Sequence, residues 1–173
     1  EVGLTIIDQT KRYVIAIDGG TTNTRARLLD LNDFSVKAVV RTPLGARNTR
    51  KEGRESLEAA VAQAMSGALE QGRVLASEVA GVLASGMITC EAGLLDVPHV
   101  LAPAGLREIA LGIVERRFDR IWPTPITFIP GIKTLGEPYQ GGCTVPVGDI
   151  ASQDIMRGEE SETLGIMKLM NLR

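Results

Sequence analysis

The chain has 173 residues, 44% hydrophobic and 23% charged, a composition that excludes disorder and collagen and fits one globular domain. Its net charge of −2 lacks the basic excess of a dedicated nucleic-acid binder, so any positive site must be local. Two cysteines, Cys90 and Cys143, make neither a multi-bridge framework nor a zinc spacing, and one histidine, His99, leaves no His-rich metal site.

In chain order, Leu4–Ile7 reads as a short extra strand, and Tyr13–Asp18 as a buried strand with an acidic tip followed by the turn-formers Gly19 and Gly20. Thr24–Leu31 begins with alternation and Phe34–Val40 follows after Asn32-Asp33, so these three strands make an antiparallel meander. Leu57, Ala60, Val61, Ala64, Ala68 and Leu69 recur at helical spacing, with Ser56 placed to cap and Gly72 to terminate. Val79–Ser85, ending in Gly86, reads as a fourth strand, and a Gly- and Pro-rich loop then runs to about Ala104. In that loop His99 follows Pro98 in a turn, where a structural role outweighs catalysis, and Cys90 reads as a small core residue. Leu106, Ile109, Ala110, Ile113 and Val114 predict a second helix, and Ile126–Ile129 a fifth strand stopped by Pro130-Gly131. Residues 133–153 read as a long loop, of the kind that is usually functional or flexible, and Glu159–Met170 as a helix with acids in its first turn. The expected fold is α/β: a mixed five-stranded sheet, meander first and right-handed crossovers later, flanked by helices. No uncharged apolar stretch approaches the ~18 residues of a membrane span and the N-terminus lacks a signal-peptide pattern, so a soluble, cytoplasmic protein without membrane or nucleic-acid partners is expected.

The richest segment is Asp18-Gly19-Gly20-Thr21-Thr22-Asn23-Thr24-Arg25. Glycines let successive N–H groups point into one concavity, threonine hydroxyls add donors, and a strand-end carboxylate can hold Mg²⁺ through water. It is neither a Walker loop nor a dinucleotide fingerprint, since GxxxxGK[ST] and GxGxxG are both absent. A plain hairpin turn uses the same residue types; the strand Asp before it and the Arg after it favour nucleotide phosphate.

The run Ile15–Ala26 resembles the first phosphate motif of the sugar kinase, heat-shock chaperone and actin superfamily, whose lobes have a ribonuclease-H-like fold. A narrower resemblance follows. Ala84-Ser85-Gly86-Met87-Ile88, Leu95-Asp96-Val97-Pro98, Ile129-Pro130-Gly131-Ile132 and Asp154-Ile155-Met156-Arg157-Gly158-Glu159-Glu160 occur in the order and spacing of the 2-dehydro-3-deoxygalactonokinases. Family members tend to carry a bulkier residue where Gly20 stands, and Thr-Gln where Ser161-Glu162 stands.

The resemblance implies phosphorylation of 2-dehydro-3-deoxy-D-galactonate at its 6-hydroxyl by Mg-ATP. Asp18 becomes the metal-side carboxylate, Gly19, Gly20, Thr21, Thr22 and Asn23 the lining of the phosphates, and Arg25 a phosphate ligand or a solvated strand arginine. Glu159 stands where related kinases place the catalytic base, with Asp154 and Glu160 as rivals and helix-dipole complementation as the bland alternative. Arg157 would hold substrate carboxylate or phosphate, or pair with the adjacent glutamates. Arg47 and Asn48 would orient an anionic substrate, unless Arg47–Arg54 is a solvated loop, and Gly86 and Met87 are sugar-side candidates at a strand end. No second Asp-Gly-Gly-Thr-like hairpin occurs, so residues 1–173 read as the N-terminal lobe of a two-lobe kinase, lacking its C-terminal lobe and inactive alone. The competing readings are a noncatalytic sugar-acid-binding lobe and another superfamily kinase or ATPase, such as a pantothenate-type kinase, sharing only the hairpin.

Overall fold

A computed structural model describes residues 7–134 and 155–169. Leu4 to Ile6 of the expected first strand, Cys143, Asp154, Met170 and nearly all of the 133–153 loop lie outside them.

The meander forms as expected: β1 (Tyr13–Gly19), β2 (Thr24–Asp30) and β3 (Val36–Thr42) are antiparallel neighbours. Alternation along β1 and β2 turns Ile15, Ile17, Ala26 and Leu28 to one face, all almost fully buried. Residues 49–52, read as loop, form one short helix, α1 (Thr49–Glu52). The long helix α2 (Arg54–Gly72) then lays Leu57, Ala60, Val61, Ala64, Met65 and Ala68 on the buried face of the sheet. The helix ends at Gly72 as expected, but neither cap is made by the expected residue. The N-cap is Gly53, and Ser56 sits inside the first turn with its hydroxyl donating to the Gly53 carbonyl at 2.7 Å. At the other end Arg73, not Gly72, takes the left-handed conformation. Gly72 packs close to the sheet, since a Cβ there would lie 2.5 Å from Leu28 Cδ2 and force that side chain to shift.

β4 (Val79–Gly86) returns beside β1 in parallel, with Ile15 opposite Val82 and Asp18 opposite Ser85. The segment read as loop up to Ala104 holds a 3-10 turn (Met87–Thr89) and β5 (Val100–Leu101). After it come α3 (Leu106–Gly112), β6 (Val114–Phe118) and β7 (Trp122–Phe128). The main sheet therefore has six strands, in the order β3-β2-β1-β4-β7-β6, and the expected count of five is corrected. β6 escaped the pattern because Glu115, Arg116 and Arg117 are consecutive exposed charges on an edge strand, which hides any period of two; Val114 belongs to it and not to the second helix. β7 starts before Ile126 despite Pro123 and Pro125, which is possible because only its end, at Thr127 and Phe128, pairs with β4.

A second, three-stranded sheet joins β5, β8 (Ile132–Lys133) and β9 (Ile155–Met156), and α4 (Glu159–Leu169) follows directly. Cys90 is half-buried outside the main core, a correction to its reading as a core residue, with Sγ 3.0 Å from the Met87 carbonyl. No helix among the described residues is long and apolar enough to cross a membrane.

The far end of β2 is pinned by Asp30, whose side chain is fully buried. Arg12 grips its carboxylate through Nε at 2.9 Å and Nη2 at 2.6 Å, the Asn32 amide donates at 3.1 Å, and Lys37 lies 3.6 Å away. The Arg12 hydrogen bonds lead in holding its pKa down at about 2.

Candidate active site

β1, β4 and β7 run parallel, so their C-terminal ends share one edge of the sheet, where open α/β sheets receive ligands. Asp18 and Gly19 end β1, and the Gly20 amide closes a tight turn on the Asn23 carbonyl at 2.8 Å. A second turn grips this hairpin from below: the Ala46 and Arg47 amides donate to the carbonyls of Gly20 and Thr21 at 3.1 and 2.8 Å. The buried Thr24 hydroxyl adds a bond to the Leu44 carbonyl at 2.8 Å. Gly45 permits this contact, since a Cβ there would meet Gly20 O at 2.5 Å and Thr22 N at 2.6 Å. With the carbonyls of Gly20 and Thr21 turned to that support, the Thr21 and Thr22 amides and the Thr21 hydroxyl donate to nothing among the described residues. They form a row of exposed donors suited to an anion.

Asp18 stands at the foot of this row. Its Oδ2 takes an ion pair from Arg25 at 3.0 Å and lies 3.8 Å from Arg27, both projecting from the same face of β2, while Oδ1 has no hydrogen bond among the described residues. No cluster of three or more His, Cys, Asp or Glu that could cage a metal occurs among those residues. One free carboxylate oxygen beside an anion cradle suits a Mg²⁺ that arrives with phosphate and keeps its waters.

The opposite rim comes from β4 and the start of α4. Gly86, at φ 85°, ends β4 against Gly19: a Cβ on it would lie 2.7 Å from Gly19 O. Gly158, at φ 113°, packs on Gly86, its own Cβ position 3.4 Å from Gly86 Cα. This stack of glycines brings the exposed Glu159 to the same cleft as Asp18, an open space of about 510 Å³ also lined by Gly19, Gly20, Thr21, Gly86, Met87 and Arg157. A neighbouring hollow of about 310 Å³ shares Asp18, Arg157 and Glu159 and adds Arg27, Ser85, Ser161 and Glu162.

Eight of the predicted site residues thus meet in one cleft. Arg25 reaches it through Asp18, and Thr22 and Asn23 complete the hairpin, the Asn23 amide donating to the Thr22 hydroxyl at 2.7 Å. Arg47 is joined to the hairpin only by its backbone, and its exposed side chain has no partner among the described residues. Asn48 is occupied locally, accepting from the Gly45 amide at 3.3 Å and donating to Glu52 at 3.2 Å. Arg157 points away from the cleft centre, toward Thr89, Val97 and His99. Of the rival bases, Asp154 and the side chain of Glu160 lie outside the described residues. Arg27 was not singled out by sequence reading, yet the alternation of Thr24, Arg25, Ala26 and Arg27 already places it on Arg25's face.

Residues 18–172 match the family described as 2-keto-3-deoxy-galactonokinase. The chain belongs to that family. Among solved structures, a protein provisionally described as a 2-dehydro-3-deoxygalactonokinase from Sinorhizobium meliloti superposes with a TM-score of 0.63 at 23% identity, over 90% of this chain and 43% of that one. That likeness shows a shared fold, and this chain spans under half of the other's length. A provisionally described N-acetylglucosamine kinase from Chromobacterium violaceum matches at 26% identity and a TM-score of 0.35, over 48% of this chain and 29% of that one. No curated protein matches.

Proposed function

We propose that this family member is the N-terminal, ribonuclease-H-like lobe of a two-lobe kinase that transfers the γ-phosphoryl group of ATP to the 6-hydroxyl of 2-keto-3-deoxy-galactonate. One observation carries the reading: a hairpin whose Thr21 and Thr22 amides are unpaired among the described residues, and a strand-end carboxylate, share a single cleft with a glutamate at a helix start. In this reading the Thr21 and Thr22 amides and the Thr21 hydroxyl receive the β- and γ-phosphate oxygens, and Arg25 adds positive charge beside them. Asp18 would hold Mg²⁺, and the ion would supply charge neutralisation at the phosphates.

Glu159 accepts the proton of the sugar hydroxyl as the oxygen–phosphorus bond forms and the bond to the β-phosphate oxygen breaks, leaving ADP and the 6-phosphate. Gly86 and Met87 form the sugar-side floor, and Arg47, free on the hairpin's flank, reaches toward the substrate carboxylate. The match to a relative of which this chain covers 43% supports a second lobe that closes the nucleotide site.

The test is ADP release from Mg-ATP with a panel of 2-keto-3-deoxy sugar acids, simple sugars and pantothenate, using the longest reading frame that contains this chain. Activity confined to the keto-deoxy acids is expected. Saturable sugar-acid binding without ADP release would replace the kinase with a binding lobe, and activity on pantothenate alone would make it another member of the superfamily.

A further inference from the structure

The Arg157 side chain is 9% exposed although it immediately precedes Gly158 and Glu159 at the rim of an open cleft. Its guanidinium has four terminal N–H bonds, and each has an acceptor. Nη1 donates to the Thr89 carbonyl and, at 2.7 Å, to the Thr89 hydroxyl; Nη2 donates to the Val97 carbonyl at 3.1 Å and to His99 Nδ1 at 3.3 Å. The nearest carboxylate, Asp96, is largely exposed and 3.9 Å away. Gly131 makes room for the arrangement, since a Cβ there would lie 2.6 Å from Arg157 Cγ and 3.1 Å from His99 Cδ2. Thr89, fully buried, passes the contact on by donating its own hydroxyl to the Gly86 carbonyl at 2.9 Å. Gly86 is the residue on which Gly158 rests.

We propose that Arg157 is a positioning residue: locked to Thr89, Val97 and a neutral His99, it fixes the Gly158–Glu159 corner against Gly86 and offers no terminal N–H to sugar acid or phosphate. The proposal deepens the kinase reading, which supplies the role of Glu159. His99 must be neutral, since an imidazolium Nδ1 carries a proton and cannot accept from Arg157. The groups facing His99 are Arg157, Lys133 of β8 and Asp96; burial first, then Arg157 and Lys133, push its pKa below the ordinary histidine value, with Asp96 opposing. His99 Nε2, which carries the proton in this tautomer, is buried without a partner among the described residues, so Arg157 is the contact that holds the ring.

His99 is the only histidine, so its imidazole signals need no assignment and its titration can be followed by NMR in the full protein. Four variants are compared: Arg157→Gln, Arg157→Lys, His99→Leu and His99→Asn, the last as the conservative rescue because its amide oxygen can accept near the Nδ1 position. Expected results are a His99 midpoint below about 6.5 in the parent that moves upward in Arg157→Gln, and faster amide hydrogen exchange across residues 158–162 with residues 18–24 unchanged. In kinetics, Arg157→Lys loses kcat by about 10²-fold while KM for ATP and for sugar acid moves less than about threefold. His99→Asn recovers most of the turnover that His99→Leu loses.

A sugar-acid KM raised more than about tenfold with kcat retained would make Arg157 a substrate ligand and overturn the proposal. An unmoved His99 midpoint, or exchange that rises uniformly along the chain, would overturn it as well. If the parent shows no turnover with any acceptor, the kinase reading fails while the titration and exchange measurements still decide whether Arg157 holds the corner.

Discussion

The hairpin rim and the helix rim of the cleft are held by different means. At the hairpin, main chain grips main chain: the Ala46 and Arg47 amides bind the Gly20 and Thr21 carbonyls, and the Thr21 and Thr22 amides donate to nothing among the described residues. At the helix rim, β9 is paired to β8 up to Met156, and the corner that follows is also tied by a buried side chain, Arg157, reaching Thr89, Val97 and His99. A rim held by backbone keeps its polar groups available to a ligand. Where a side chain shares in the holding, that side chain is used up, so the arginine next to the glutamate is poorly placed to bind a substrate.

Substitutions that strike one rim and spare the other test this contrast. Among the glycine substitutions the larger effect is expected from Gly158→Ala: at φ 113° a Cβ is strained, and displacement of Glu159 lowers turnover by about 10²-fold while nucleotide affinity, measured by calorimetry, stays within about threefold. Gly45→Ala should do the reverse. Its Cβ meets backbone atoms at 2.5 and 2.6 Å, which no rotamer change relieves. The hairpin must shift, and nucleotide affinity falls by about tenfold or more.

An acid titration reaches beneath both rims. The unfolded Asp30 carboxyl takes up a proton near the ordinary 3.8, before the folded one does at about 2, so stability is full above that window and falls as pH drops through it. Asp30→Asn should be less stable at neutral pH and show a flatter acid limb, as read by thermal unfolding. The smallest effect is expected at Arg47, whose exposed side chain should give Arg47→Ala a sugar-acid KM raised about threefold with kcat nearly unchanged.

The same contrast accounts for what could be read without coordinates. The hairpin rim is local: an apolar strand, an acid, two glycines and two threonines lie within a dozen residues, and their geometry follows from that order. Even Arg27 was within reach through the period of two along β2. The grip on Arg157 joins residues 58 to 68 positions apart, and no local pattern announces such a contact. In the sheet, β1 and β4 follow from apolar runs and β2 from its alternation, whereas β6 hid behind three consecutive charges and the start of β7 behind two prolines. Ser56 and Gly72 carried helix-end residue types, but Ser56 lies within the first turn and caps nothing, and the left-handed C-cap falls on Arg73 after Gly72.

The central claim is that Glu159 takes the hydroxyl proton while the Asp18 hairpin holds the nucleotide. The most direct test is Glu159→Gln in the full protein, with turnover and ATP affinity measured together. The account predicts turnover reduced by about 10²- to 10⁴-fold with ATP affinity intact. Turnover within a few-fold of the parent, or ATP affinity lost along with turnover, would contradict it.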